Sequence, residues 1–195
     1  MDYYTWRNLQ DESQRDICCV ALQDNGLTAV GIQTCSEYQA NWMLDASTDW
    51  ITSRVHVQVQ GAGWQRSLEL IRDSDGVWDQ TVSLSGIQPA EMPEPGIAPG
   101  TDLSSALDVD LGKCPLTNVM PIRRLGLLSG DVPKTQLIMA WIDMPSLRVI
   151  ASDQYYSSID SRHVRYASGT RGVDVSLTVD ANGVVTQYPD LALVF

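Results

Sequence analysis

Apolar and polar residues alternate with a period of two along much of the chain. Val55-His56-Val57-Gln58-Val59-Gln60 alternates without a break, the pattern of a strand with one buried and one wet face. Gly61-Ala62-Gly63 interrupts it, and Trp64 to Ile71 returns as the next strand. Asp73-Ser74-Asp75-Gly76 reads as a turn, because Asp and Gly tolerate the left-handed conformations that turns require. Another strand begins at Val77-Trp78 and runs towards Leu84. The design recurs near the C-terminus: Val173 to Val179 alternates, Asp180-Ala181-Asn182-Gly183 turns, and Val184 to Tyr188 returns, a hairpin signal. Asp24-Asn25-Gly26 is a similar turn between Cys18–Leu22 and Leu27–Ile32. Gln136 to Asp143 and Leu147 to Ile150 are further strands, separated by Met144-Pro145-Ser146.

Helical period is scarce. Asp11 to Leu22 passes for a short helix, but its β-branched and cysteine-rich end favours a strand. Pro115 and Pro121 bracket a segment that cannot be one long helix. The pattern predicts about a dozen strands, little helix and no internal repeat. Ile87 to Ser105 carries Pro89, Pro93, Pro95 and Pro99 with Gly96 and Gly100. It reads as a loop between strands, an insertion rather than a lid.

Composition narrows the class. With 195 residues, 44% of them hydrophobic and 19% charged, the chain reads as one globular domain spanning residues 1–195. Its apolar stretches are too short for a membrane span. Met1 to Trp6 shows no basic region followed by an apolar one, which predicts a cytoplasmic protein. The formal net charge of −11 disfavours nucleic acid and anionic membrane surfaces as partners. Cys18, Cys19, Cys35 and Cys114 form no Cys-x-x-Cys pair, so buried reduced thiols are expected. Only His56 and His163 are available as imidazole ligands, and neither lies near a cysteine; no metal and no cofactor is expected.

A few positions carry candidate chemistry. Asp108 and Asp110, in Leu107-Asp108-Val109-Asp110-Leu111, share one face of a strand, roughly 7 Å apart along it. Two carboxylates that close need a cation, a proton or water. An ion pair with Arg123 or Arg124 is favoured over a metal site or an acid/base pair. If Pro121-Ile122-Arg123-Arg124-Leu125 is a strand, only one of the two arginines faces a cavity. That one pairs with a buried carboxylate or grips a phosphate or a sugar hydroxyl. Trp50 and Arg54 stand four residues apart, on one strand face, where the guanidinium packs on the ring. A nucleophile elbow, a P-loop and a Gly-x-Gly-x-x-Gly turn are all missing.

The stretch Leu107-Asp108-Val109-Asp110-Leu111-Gly112-Lys113-Cys114-Pro115-Leu116-Thr117-Asn118, continuing to Pro121-Ile122-Arg123-Arg124-Leu125, resembles the signature of the bacterial putative glycolipid-binding family, long catalogued as a domain of unknown function. Trp50 with Thr52 and Arg54, Gly76 with Trp78, Gln154-Tyr155-Tyr156, and Asp180 through Gly183 to Tyr188-Pro189 look like its other conserved steps. The resemblance runs from about Trp42 to the C-terminus. The Pro-rich insertion and Cys114 depart from the family pattern. The family implies a mainly β fold, a spiral β-roll: a long curved antiparallel sheet with little helix, similar to that of periplasmic lipoprotein carriers.

The resemblance implies a non-enzymatic binding protein for an amphiphile, a glycolipid or related lipid held in the concave face of the sheet. A buried methylene contributes about 0.8 kcal/mol, so a twelve-carbon chain offers about 10 kcal/mol before ordering costs. Trp50, Arg54, Asp108, Asp110, Thr117, Asn118, Arg123, Arg124 and Tyr155 are then the expected ligand-binding residues, and none is catalytic. The alternative is a structural or protein-interaction domain in which the same motif locks the sheet. A hydrolase using Asp108 and Asp110 is disfavoured, because same-face carboxylates two apart cannot flank a glycosidic bond.

Overall fold

A computed structural model describes residues 1–195. The first seven strands are β1 (Asp2–Asn8), β2 (Arg15–Leu22), β3 (Leu27–Thr34), β4 (Tyr38–Ser47), β5 (Ile51–Gly61), β6 (Trp64–Arg72) and β7 (Trp78–Gly86). They form an antiparallel meander. Two short strands follow, β8 (Gly96–Ile97) and β9 (Asp108–Leu111). After a helical segment come β10 (Thr135–Ile142), β11 (Arg148–Ser158), β12 (His163–Ser168), β13 (Val173–Val179), β14 (Val185–Tyr188) and β15 (Ala192–Val194).

All fifteen strands join one sheet, in the order β7-β6-β5-β4-β3-β2-β1-β15-β14-β13-β12-β11-β10-β9, with β8 against β11. Only the β9–β10 and β8–β11 pairs are parallel. The sheet does not close: β7 and β9 end it, and the chain's first and last strands meet in its middle. It is the long curved sheet of a spiral β-roll.

The alternation produces this directly. Val55, Val57 and Val59 of β5 and Leu68 and Leu70 of β6 are all 1% exposed or less, while His56 and Gln58 face outward. Each fully buried aliphatic side chain is worth about 1.5–3 kcal/mol. Two Asp-x-x-Gly turns use one device. Asp73 Oδ1 accepts from the amides of Asp75 and Val77, and Asp180 Oδ1 from those of Asn182 and Val184. Gly76 and Gly183 then take φ of 85°, which a side chain would oppose.

The hollow of the roll is filled by the chain itself. After β9, a 3-10 turn at Pro115–Asn118 leads into α1 (Val119–Arg124) and a second 3-10 turn at Leu127–Ser129. Leu116, Val119, Met120, Ile122 and Leu127 are fully buried and belong to a single core of 41 residues. No helix is long and apolar enough to cross a membrane. The Pro-rich stretch is pinned to this body. Arg66, buried in β6, donates to Gln88 Oε1 at 3.0 Å, Pro93 O at 2.7 Å and Ser146 O at 2.8 Å. Leu103 and Ala106 sink into the core.

Candidate functional site

The signature segment makes two buried polar groups, one around each carboxylate of β9. Asp108 and Asp110 do share a face of a strand, as their spacing predicts, and pair in register with Met139 and Trp141 of β10. Arg123 and Arg124 do not lie on a strand. They end α1, where successive side chains diverge by about 100°. Pro121 is accepted there because first-turn amides have no intrahelical acceptor. The helix therefore turns Arg124 inward and leaves Arg123 at the surface.

Arg124 holds Asp108 in a fork: Nη1 to Oδ1 is 2.6 Å and Nη2 to Oδ2 is 2.5 Å. Asp108 is fully buried. Burial outweighs the arginine beside it and leaves the carboxyl above its ordinary range. Arg124 Nη1 also reaches Trp50 O at 3.3 Å. That carbonyl belongs to a strained step, since Asp49 and Trp50 take φ of 62° and 61° without being glycine. Two residues on, Thr52 Oγ1 accepts from the Val109 amide at 3.2 Å. The strained step and Thr52 thus tie β5 to β9.

The strained turn also corrects the expected pairing of Trp50 with Arg54. Strand geometry begins only at Ile51, so the two side chains do not share a face. Arg54 points outward and pairs with Glu69 at 2.5 Å. Trp50 is buried beneath Arg123, whose guanidinium lies 4.9 Å from the ring centre. Three of the expected binding residues, Trp50, Arg123 and Arg124, border an open cleft of about 730 Å³ with Asp24, Asp49 and Ser129.

Asp110 takes a different partner from the two expected. Its Oδ2 accepts from Gln154 Nε2 at 2.6 Å and lies 3.1 Å from Arg171 Nη2, while its Oδ1 accepts from Thr117 Oγ1 at 3.2 Å. Asn118 joins the same group, with its Oδ1 2.9 Å from the Tyr156 hydroxyl, which is 3.1 Å from Gln154 Oε1. Tyr155 points to the opposite face, beneath Lys134 Nζ at 4.5 Å, so its neighbour Tyr156 is the tyrosine of this network.

Arg171, from the turn between β12 and β13, completes the group. Its guanidinium lies 5.4 Å from the Trp141 ring centre and 5.8 Å from that of Tyr166, and it donates to the Tyr166 hydroxyl. Tyr156, Tyr166 and Tyr188 follow in turn, tilted and edge-on to one another, with ring centres 5.1 and 5.9 Å apart. Burial pushes the Tyr188 hydroxyl up to about 12. Burial works against the charge of Arg171, but Asp110 and the tyrosines outweigh it and raise its proton affinity.

Two N–H groups here have no acceptor: Arg171 Nε and Trp141 Nε1 are both buried and unpartnered. Both residues line a cleft of about 480 Å³, open to solvent, together with Tyr188, Lys113, Asp143 and Asp174. Sequence reasoning missed Arg171, Trp141 and Tyr188. The only local signal was the Tyr188-Pro189 step.

This is an unclosed β-roll whose signature segment plugs its own hollow and supports a polar, aromatic-walled cleft at its rim. The chain belongs to the putative glycolipid-binding family, whose model matches residues 3–193. The match takes in the first three strands, which precede the stretch that carries the sequence resemblance. A solved structure of a DUF1089 family protein from Pseudomonas aeruginosa is similar over 90% of each chain, with 25% sequence identity and a TM-score of 0.68. No curated protein matches the chain.

Proposed function

We propose that the chain is a non-enzymatic binding protein for a sugar-bearing amphiphile, and that the sugar enters the cleft at Trp141 and Arg171. Two cleft-lining residues carry the reading, Trp141 and Arg171, each with a buried N–H that has no acceptor. A buried donor left without an acceptor costs about 1–3 kcal/mol, and a ligand oxygen that reaches it through a small shift of the cleft wall removes that cost. Carboxylates of Asp143 and Asp174 in the same cleft accept from hydroxyl groups and oppose an anion. An aromatic wall with donors and acceptors around it suits an uncharged, hydroxyl-rich group. The family description agrees with this choice.

The site is therefore moved from where the sequence put it. Asp108, Asn118 and Arg124 are spent on internal partners; Asp110 and Thr117 stand behind Arg171. Because the hollow is packed, the acyl part of the ligand lies outside it, not in the concave face. A sealed Asp108 also speaks against a reactive carboxylate pair. Four free thiols, two of them buried, suit a reducing compartment, and the reading places the chain in the cytoplasm.

Trp141→Phe tests the site, since it keeps an aromatic wall and removes one donor. Titration with short-chain alkyl glycosides by calorimetry should show binding weakened about tenfold, the worth of about 1.4 kcal/mol. Equal affinity in the variant would remove Trp141 from the site.

A further inference from the structure

The sheet leaves one edge open. β7 pairs with β6 on one side and with no strand on the other. All eight residues from Asp79 to Gly86 are exposed. No main-chain group of β7 bonds to another part of the chain beyond β6, apart from Ser85 O, which accepts from Gln88 Nε2 at 2.7 Å. An open row of amides and carbonyls is a template for another strand, and proteins usually blunt it with lysine, proline or a bulge. β7 has none of these; the β8 segment touches only one of its faces, where the Ile97 amide donates to Gln80 Oε1 at 2.6 Å and Gly96 lies against Val82, and leaves the main-chain edge unpaired. Its sequence, Trp-Asp-Gln-Thr-Val-Ser-Leu-Ser-Gly, carries Asp79 as its one charge, and its register with β6 is unbroken. Val82 and Leu84 stand 42% and 45% exposed on it.

We propose that β7 is the interface with a second copy of this chain, paired antiparallel about a twofold axis at Val82. Charge selects this occupant and this register. The whole chain carries −11, so most of its surface repels a copy of itself, whereas β7 is nearly neutral. A twofold axis at Val82 sets Val82 against its counterpart, Leu84 against Gln80, and Asp79 against Ser85. The two Asp79 carboxylates then lie about 20 Å apart along the ribbon, beyond the reach of unscreened repulsion at physiological salt. A register shifted towards Gln80 brings them to about 7 Å and shortens the pairing. The favoured ribbon forms roughly eight main-chain hydrogen bonds, within the range of stable interfaces, and covers the exposed valine and leucine.

Light scattering or sedimentation of the full chain tests this, with Val82→Lys/Leu84→Lys as the variant. Leu84 and Val82 are half-exposed, though Val82 also touches Gly96, so circular dichroism and melting temperature of the variant are compared with the parent's before its mass is read. The parent is expected at twice 21.5 kDa and the variant at 21.5 kDa. A parent that stays single at the highest concentration reached, or a variant that still pairs, overturns the proposal. Cross-linking fixes the register. In a Cys19→Ser/Cys35→Ser background, Val82→Cys should form a disulfide with its counterpart under mild oxidation, and Asp79→Cys should not. Equal cross-linking at both positions rules out the axis at Val82.

Discussion

Replacing Arg124 with alanine should cost stability, and replacing Arg123 should not. Arg124→Ala removes both charge-assisted hydrogen bonds to Asp108, at 2.6 and 2.5 Å, and the weaker one to Trp50 O. It leaves a fully buried carboxyl with no partner. Breaking one side of a buried ion pair costs about 3–5 kcal/mol. For a chain of this size that is roughly a 6–20 °C fall in melting temperature. The loss should also depend on pH. Burial already holds Asp108 above its ordinary range, and without Arg124 it takes up a proton more readily still. A raised carboxyl costs stability as pH rises, so the deficit of Arg124→Ala should be larger at pH 8 than at pH 5. Arg123 makes a stacking contact at the surface instead, worth about 0.5–1 kcal/mol. Urea melts of both variants at the two pH values decide it. A deficit below about 1 kcal/mol for Arg124→Ala, or equal losses for the two arginines, would refute the assignment of Arg124 as the lock.

Two further predictions follow from the buried polar groups. Asp16 lies buried beside Gln33, Trp42 and Cys114, with Oδ1 unpartnered, and burial pushes its carboxyl up to about 7. The unfolded chain gives up that proton near pH 4, so folded stability falls from there to about pH 7, by about 4 kcal/mol. Asp16→Asn should flatten that slope and be the more stable protein at pH 8; identical slopes in urea melts would contradict it. Tyr156→Phe removes the hydroxyl between Asn118 Oδ1 and Gln154 Oε1 and should cost about 1–3 kcal/mol. Tyr155→Phe, on the outer face, should stay within about 0.5 kcal/mol of the parent, and the reverse order in thermal melts would show the faces misassigned.

The period-two stretches made β5, β6 and β13 legible, because one face of each is buried and the alternation records it. β4 carries the same signal in Tyr38, Ala40, Trp42, Leu44 and Ala46, all buried. The two Asp-x-x-Gly turns were legible from residue type alone. The signature segment was legible as a unit but not in its conformation. Two arginines after Pro-Ile fit a strand as well as the end of a short helix, and only packing against β5 and β9 selects the helix. Trp50 misled because a non-glycine residue seldom takes a positive φ, so strand spacing to Arg54 was the natural reading. Arg171 was invisible as the partner of Asp110. It sits in a turn, far along the chain, and only the curvature of the sheet brings the two together. The cleft is built the same way, with Trp141, Arg171 and Tyr188 coming from three separate parts of the second half of the sheet.

Native mass spectrometry of gently purified protein, followed by organic extraction and identification of what is released, tests the binding account most directly. The account predicts a discrete added mass that proves to be a sugar-bearing amphiphile and is lost or reduced in Trp141→Phe. An added mass retained in full by that variant, or protein that stays free of ligand when incubated with the alkyl glycosides, would contradict it.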